Sequence, residues 1–267
     1  MAATEAIRGS AAVEGELWGA RARDWALQEE LGAGLYAPVL DAAGVTDGTR
    51  LLDVGCGSGV AAAIAHERGA RVSGIDAAQP AIEIARERVA DADFRAGEME
   101  SLPYDDASFD VVTGFNAFQY AADPVRALRE ARRVVRARGS VAIVTWGNPE
   151  DCEAAGLLKA FGSLMPPPPP GAPGPFALAA PGALEELAAQ AGLTPADTGE
   201  VATTWDYPDR ETALRALLSA GPAMRAIAAA GEERVTVAAT GAIAPYRTSS
   251  GGYAIENVWR YLIAKPS

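Results

Sequence analysis

One histidine and two cysteines are all that the 267 residues provide. A single His66 excludes histidine-cluster metal sites and makes a Ser-His-Asp triad nearly untenable. Cys56 and Cys152 give neither a disulfide framework nor a metal pattern, and neither asks for an oxidising compartment. No apolar run reaches the roughly 18 residues of a membrane span, and the opening MAATEAIRGS lacks the apolar core of a signal segment. These absences predict a cytoplasmic protein with no membrane partner and no metal. Positive charge is also short, leaving a formal net charge of −12. Such a surface repels phosphate backbones, which argues against a nucleic-acid partner. It favours a cationic ligand only weakly, since solubility is the commoner use of surface acids.

What is present is apolar bulk. At 49% hydrophobic residues the chain can fill the core of one large domain without staples. The abundance of Ala, Gly, Arg and Pro fits a G+C-rich bacterial genome, a compositional expectation only.

Residues 1–12 read as a loose tail. A helical pattern follows over Val13–Leu31, with Leu17, Trp18, Trp25 and Leu31 as its large apolar members, and a second over Leu35–Ala43, stopped by Gly44. From Arg50 onward strands and helices alternate. The expected strands are Arg50–Val54, Arg71–Ile75, Asp93–Ala96, Phe109–Phe115 and Val141–Trp146. The expected helices are Ser58–Arg68, Ala78–Val89 and one capped by Asp123, with Pro124 in its first turn, running to about Val135. This alternation predicts a parallel, doubly wound α/β sheet.

The stretch Met165–Pro175, MPPPPPGAPGP, reads as an extended polyproline segment, a stiff surface loop or a partner contact. Beyond it come a helix Pro181–Ala191, a strand near Thr198–Trp205, a helical block over about Arg210–Ala244 and a terminal strand Tyr253–Ile263. The last part suggests a hairpin at the sheet edge with an inserted helical cap.

The stretch Leu51–Gly59, LLDVGCGSG, carries the chemistry. A glycine-rich turn between strand and helix lets a ligand approach the backbone and meet its N–H groups. Gly55, Gly57 and Gly59 alternate strictly, and Val60 stands where a dinucleotide fingerprint needs its third glycine or alanine. That spacing disfavours a nicotinamide oxidoreductase. Asp76 lies seventeen residues beyond Gly59 and closes the second strand at the carboxyl edge of the sheet, where a carboxylate can accept both hydroxyls of a ribose. Glu98, just after the third strand, could meet an adenine amino group with Met99 on the ring face. Cys56 reads as a small residue packed under the loop. His66 falls about 200° around its helix from Ile64 and points to solvent, not to chemistry.

These residues resemble the class I S-adenosylmethionine-dependent methyltransferases. LLDVGCGSG is similar to the first motif of that family, VSGIDAA to the second strand with its acidic end, FRAGEMESLPYDDASFDVVTGFNAFQY to the third and fourth motifs, and DPVRALREARRVVRARGSVAIVTWG to the helix and strand that follow. The resemblance spans about residues 48–147 and departs where the family's Pro-Gly-Gly is replaced by Arg138, Gly139 and Ser140. It implies a Rossmann-like seven-stranded sheet, with an N-terminal helical lid over 1–47, a cofactor-binding core over 48–150, and the rest of the sheet over 151–267 with its cap at about 210–244. It implies S-adenosylmethionine as cofactor and S-adenosylhomocysteine as product. Gly55, Gly57 and Gly59 would line the methionine part, Asp53 would reach its ammonium, Asp76 would hold the ribose, Glu98 and Met99 the adenine, Asn116 would offer its carbonyl to the amino group, and Ala77 would also bind the cofactor.

Relatives acting on quinone-like acceptors often carry histidine after the fourth strand, where this chain reads Phe118, Gln119, Tyr120. An imidazole base is therefore absent, no catalytic residue is assigned, and proton removal could fall to a carboxylate, a tyrosine or water. Trp18, Phe118, Tyr120, Trp146, Tyr246 and Arg247 are the candidate walls for a small organic methyl acceptor, with Trp18 and Trp25 as possible lids. The expected state is a monomer or homodimer. The alternatives are a non-methylating reaction aided by the sulfonium charge, such as a cyclisation, or a non-catalytic cofactor-binding subunit.

Overall fold

The computed structural model describes residues 9–167 and 174–267. Helices α1 (Ala11–Gly19), α2 (Ala22–Leu31) and α3 (Tyr36–Ala42) precede the sheet. Then β1 (Arg50–Val54), α4 (Val60–Glu67), β2 (Arg71–Asp76), α5 (Gln79–Arg88), β3 (Asp93–Ala96), β4 (Phe109–Phe115), α6 (Pro124–Val134) and β5 (Val135–Trp146) follow. After α7 (Ala154–Gly162) and α8 (Ala183–Gln190), β6 (Leu193–Tyr207) and β7 (Tyr253–Pro266) bracket α9 (Arg210–Leu217), α10 (Gly221–Ala230) and α11 (Glu232–Ile243). All seven strands form one sheet in the order β3-β2-β1-β4-β5-β7-β6. The first five run parallel, and β7 is antiparallel to both β5 and β6. This is the expected doubly wound α/β fold, with the expected hairpin at its edge.

Each central strand is apolar on both sides because helices cover both faces. Leu51 packs into a cluster with α3, α4 and α7, while its neighbour Leu52 packs into another with α6 and α8. Asp123 caps α6 as expected, its Oδ1 accepting from the Arg126 N–H at 3.0 Å. His66 is exposed and faces Asp91 across 3.6 Å on the far end of α4, as its helical angle predicted.

Several boundaries differ from the sequence expectation. The helix expected over Val13–Leu31 is two helices, because the chain bends at Arg21 (φ −134°, ψ 44°). The bend lays α1 against the start of α5, where a side chain on Gly19 would press on Pro80 Cδ at 3.2 Å. Strand β5 begins six residues early, at Val135 instead of Val141. Its charged lead-in, RARGS, reads as a turn in sequence, yet Val135 pairs with Phe109 and Ser140 with Val111 across a bulge. Strand β6 is likewise longer than Thr198–Trp205, since the whole of β7 is available to pair with it from Leu193 to Tyr207. Helix α7 had no sequence expectation. Of the proline-rich stretch, residues 168–173 lie outside the described residues.

Candidate active site

The glycine loop leaves β1 at the carboxyl edge of the sheet. Gly55, Gly57 and Gly59 all have positive φ (70°, 50° and 80°), a conformation that other residues adopt at a cost. The Gly55 and Cys56 N–H groups donate to Ile75 O at 2.8 and 3.1 Å, tying the loop to β2. Asp76, at the end of β2, holds the other side. Its Oδ2 accepts from Gly57 N–H at 2.9 Å and its Oδ1 from Ala78 N–H at 2.8 Å.

A cavity opens over this loop, with about 1040 Å³ of empty space including its mouth. Asp53, Gly55, Gly57, Asp76, Ala77, Met99 and Asn116 line it, so these seven expected cofactor residues share one space. Asn116 has positive φ (53°), a strained conformation that asparagine tolerates better than most, and its Oδ1 accepts from the Gln119 amide. Gly59 and Glu98 do not line the cavity. Gly59 instead lets α4 approach α5, since a Cβ there would lie 3.0 Å from Ala85 Cβ. Glu98 turns toward the N-terminus, its Oε2 accepting from the Ala11 N–H of α1 at 2.8 Å.

Of the expected acceptor walls, Trp18 and Tyr120 line the cavity. Their rings meet edge-on at 5.4 Å, and Trp18 meets Trp25 at 4.6 Å. The other four lie elsewhere. Phe118 is buried in the core behind β4, against Gly114. Trp146 stacks behind Trp259, with ring centroids 4.1 Å apart. Tyr246 donates to Glu153 O at 3.4 Å, and Arg247 is exposed.

The helices ahead of the sheet supply what the motifs did not show. Glu29 of α2 reaches over the loop and accepts from Ser58 N–H at 2.9 Å. Its carboxylate fills the space in front of Gly57, where a Cβ would lie 1.9 Å from Glu29 Oε1. Gln28 lines the cavity beside it, with Oε1 accepting from the Tyr207 hydroxyl at 2.6 Å. Tyr36, Phe115, Trp205 and Trp259 complete the far wall. Among the α2 residues only the apolar Trp25 and Leu31 drew notice in the sequence. Glu29 sits in a polar helical run, where an acid reads as solvated.

Of the four carboxyl groups that line the cavity, Glu14, Glu29, Asp53 and Asp76, the last three converge at the loop, and the burial of each shifts its protonation. Burial pushes Glu29 up to about 8, with the Ser58 hydrogen bond opposing and the charges of Asp76 and Asp53 adding to the rise. Burial pushes Asp53 up to about 7, against the 2.7 Å hydrogen bond donated by the Thr113 hydroxyl. Burial also raises Asp76, and the N–H groups of Ala78 and Gly57 restrain the shift. Tyr120 is pushed up to about 12 and Tyr36 well above its ordinary value, both by burial, so neither phenol ionises near neutral pH. Cys56, packed under the loop as expected, stays a neutral thiol for the same reason. No lysine, arginine or histidine among the described residues lines the cavity. The arrangement can hold a ligand whose positive end lies over the loop and whose body is apolar. Among the described residues no group of His, Cys, Asp or Glu could hold a metal ion.

Residues 52–143 match a family model described as a methyltransferase domain. Similar proteins include the malonyl-acyl-carrier protein O-methyltransferase of Serratia marcescens, 35% identical over 115 residues, covering 43% of this chain and 42% of that protein. The demethylmenaquinone methyltransferase of Thermotoga maritima is 31% identical over 114 residues, covering 42% of this chain and 50% of that protein. The matched stretch thus spans half or less of these relatives. Among solved structures, a putative methyltransferase from Bacillus halodurans aligns with TM-score 0.58 at 16% identity, covering 87% of this chain and 99% of that one. The cyclase SpnF aligns with TM-score 0.54 at 24% identity, covering 88% and 80%. Both structures share the fold.

Proposed function

We propose that this chain, whose residues 52–143 form a class I S-adenosylmethionine-dependent methyltransferase domain, transfers a methyl group from S-adenosylmethionine to a small organic acceptor. The observation that carries this reading is the convergence of Glu29, Asp53 and Asp76 on one cavity with no cationic side chain in its lining among the described residues. The cofactor brings positive charge on its sulfonium and ammonium, and the sulfonium makes its methyl group reactive. A Cβ on Gly55 would strike Ala117 Cβ at 2.5 Å, so glycine there lets the loop pack against the turn that follows β4.

Each residue then has a role. Asp53 and Glu29 hold the ammonium from the floor and from the lid. Asp76 holds the ribose and at the same time fixes the loop. Ala77 and Met99 flank the adenine, with Trp18 closing over them. Asn116 presents its carbonyl. Placing acceptor and methyl in line can supply about 7–11 kcal/mol of the barrier. An acceptor that carries a proton passes it to Glu29, to Asp53 or to water, because the cavity's tyrosines stay protonated.

The relatives' printed names point to small or carrier-bound acceptors, which agrees with a closed, cleft-like site. No helix among the described residues is long and apolar enough to cross a membrane. We read the protein as working in the cytoplasm, as monomer or homodimer, without nucleic acid.

The test is a titration of the purified protein with S-adenosylhomocysteine, followed by incubation with methyl-deuterated S-adenosylmethionine and a cell extract of small molecules. The expected result is binding and a mass-shifted small molecule, both lost in Asp76→Ala. No binding by the unaltered protein would overturn the reading.

A further inference from the structure

The cavity is longer than the cofactor's residues require. Sheet order serves as a ruler, since neighbouring strands lie about 4.8 Å apart. Asp76 ends β2, Asp53 ends on β1, and Asn116 follows β4. From β2 to β7 the order β2-β1-β4-β5-β7 makes four intervals, about 19 Å. The expected cofactor contacts occupy the β2, β1 and β4 end. Trp259 and Trp205 lie at the opposite end, on β7 and β6, and still line the same cavity.

The geometry of this second end is built by overrun. Trp259 pairs with Trp146, the last residue of β5. Trp205 pairs with Ile255, four residues further along β7 and past the end of β5. The hairpin therefore stands above the sheet edge as a wall. Trp146 backs Trp259 by stacking, and the Thr203 hydroxyl takes the Trp259 indole N–H at 2.9 Å. With its one polar atom satisfied, Trp259 offers only ring surface. Tyr36 and Phe115 meet edge-on at 4.9 Å and form the other aromatic side.

One polar group remains at this end. Gln28 is 4% exposed and lines the cavity. Its Oε1 accepts from the Tyr207 hydroxyl, which leaves its Nε2 as the end of the amide able to donate to a ligand in the cavity. Charge adds a further constraint. An anionic group entering this space would leave water, meet no cationic side chain among the described lining residues and lie near Glu29 and Asp53.

We propose that the acceptor is a flat, uncharged aromatic molecule whose hydroxyl or carbonyl oxygen accepts from Gln28 Nε2, with its rings against Trp205 and Trp259. This rests on the methyltransferase reading of the same cavity and adds the acceptor's class to it. Acceptors bearing a free carboxylate or phosphate at the bound end are disfavoured by the same lining.

Two probes of matched shape test it: 2-acetylnaphthalene, neutral with an acceptor-only oxygen, and 2-naphthoate, its anionic counterpart. Both are titrated into the full chain saturated with S-adenosylhomocysteine. The expected result is saturable binding of 2-acetylnaphthalene and at least about tenfold weaker binding of 2-naphthoate. Gln28→Glu keeps an oxygen for the Tyr207 hydroxyl and removes the donor. It should weaken 2-acetylnaphthalene about three- to tenfold. Trp205→Leu should weaken it as well, with S-adenosylhomocysteine affinity kept, which also reports that the variant folds. Equal binding of the two probes, binding of neither, or indifference to both substitutions overturns the proposal. Failure of S-adenosylhomocysteine to bind the unaltered protein would instead sink the underlying function.

Discussion

Glu29 Oε2 lies 2.9 Å from the Ser58 backbone nitrogen, so a carboxylate from the second helix closes on the first turn after the glycine loop. The contact joins two segments of chain 29 residues apart, and it makes the N-terminal helices part of the proposed cofactor seat. Among the described residues no lysine, arginine or histidine lines the cavity beside this carboxylate. The carboxylate is therefore poised for a cation, and its cost without one is measurable.

The substitution Glu29→Gln should move stability and binding in opposite directions. Removing an acid that is hard to ionise should raise the melting temperature at pH 9 and change it little at pH 5. Affinity for S-adenosylhomocysteine should fall about tenfold at pH 8, as expected for loss of a charge-assisted contact. Affinity for methylthioadenosine, which lacks the amino-acid end, should not change. Calorimetry with both ligands checks this. Tighter S-adenosylhomocysteine binding by the variant would mean that Glu29 blocks the seat instead of completing it.

The pH dependence follows from sign. Glu29 rises from 4.5 to about 8 and Asp53 from 3.8 to about 7 on folding. Between those limits the folded state holds protons that the unfolded state has released, so stability falls as pH rises, by up to about 1.4 kcal/mol per pH unit for each proton. The contribution is complete below about pH 4 and spent above about pH 8. Ligand binding runs the other way. A cationic amino end favours the ionised carboxylates, so S-adenosylhomocysteine affinity should climb between pH 6 and 8, with protons released on binding. Calorimetry in buffers of different ionisation enthalpy counts those protons.

Two alternating glycines should fail differently. Gly59→Ala places a methyl 3.0 Å from Ala85 Cβ at φ 80°, which should cost about 1–3 kcal/mol of stability. Gly57→Ala aims its methyl at Glu29 Oε1, so S-adenosylhomocysteine binding should be lost with a smaller fall in stability, because a flexible carboxylate gives way more readily than a helix. Denaturant melts and titrations on both variants separate the two.

Asp76→Ala should lower both readouts together. It removes the acceptors of two backbone N–H groups, those of Gly57 and Ala78, and with them the expected ribose ligand. A stability loss of about 1–3 kcal/mol and loss of measurable S-adenosylhomocysteine binding are expected. Asp76→Asn, which still accepts, should recover much of the stability and little of the binding.

Some of this was legible in the sequence, and the division has a physical cause. The loop from Asp53 to Gly59 and the acid at Asp76 are local devices whose backbone needs are written in consecutive residues. Gln28 and Glu29 are not local. Their role exists only because α2 crosses the loop, and nothing in the run ARDWALQEEL marks which polar residue will be covered. The aromatic wall was half legible: Trp205 and Trp259 read as strand residues, but their height above the sheet depends on how far β6 and β7 outrun β5. Phe118 lies in the short turn after β4 and packs back onto Gly114, and Trp146 is covered by Trp259, neither of which is written in the local sequence. Glu98 shows the converse. A carboxylate placed well for adenine by spacing is engaged by the Ala11 N–H once α1 packs nearby.

The sheet order has a consequence for assembly in time. Strand β7 lies between β5 and β6, so β6 has no neighbour in the sheet until residues 253–266 arrive. Strands β1 to β5, by contrast, can pair as soon as residue 146 is made. During synthesis the half proposed to seat the cofactor can therefore form while β6 waits as an open edge, an exposure that invites association with other chains. A cofactor bound to that early half would stabilise it by mass action through the wait. The end proposed to take the acceptor would then be the last part of the molecule to take shape.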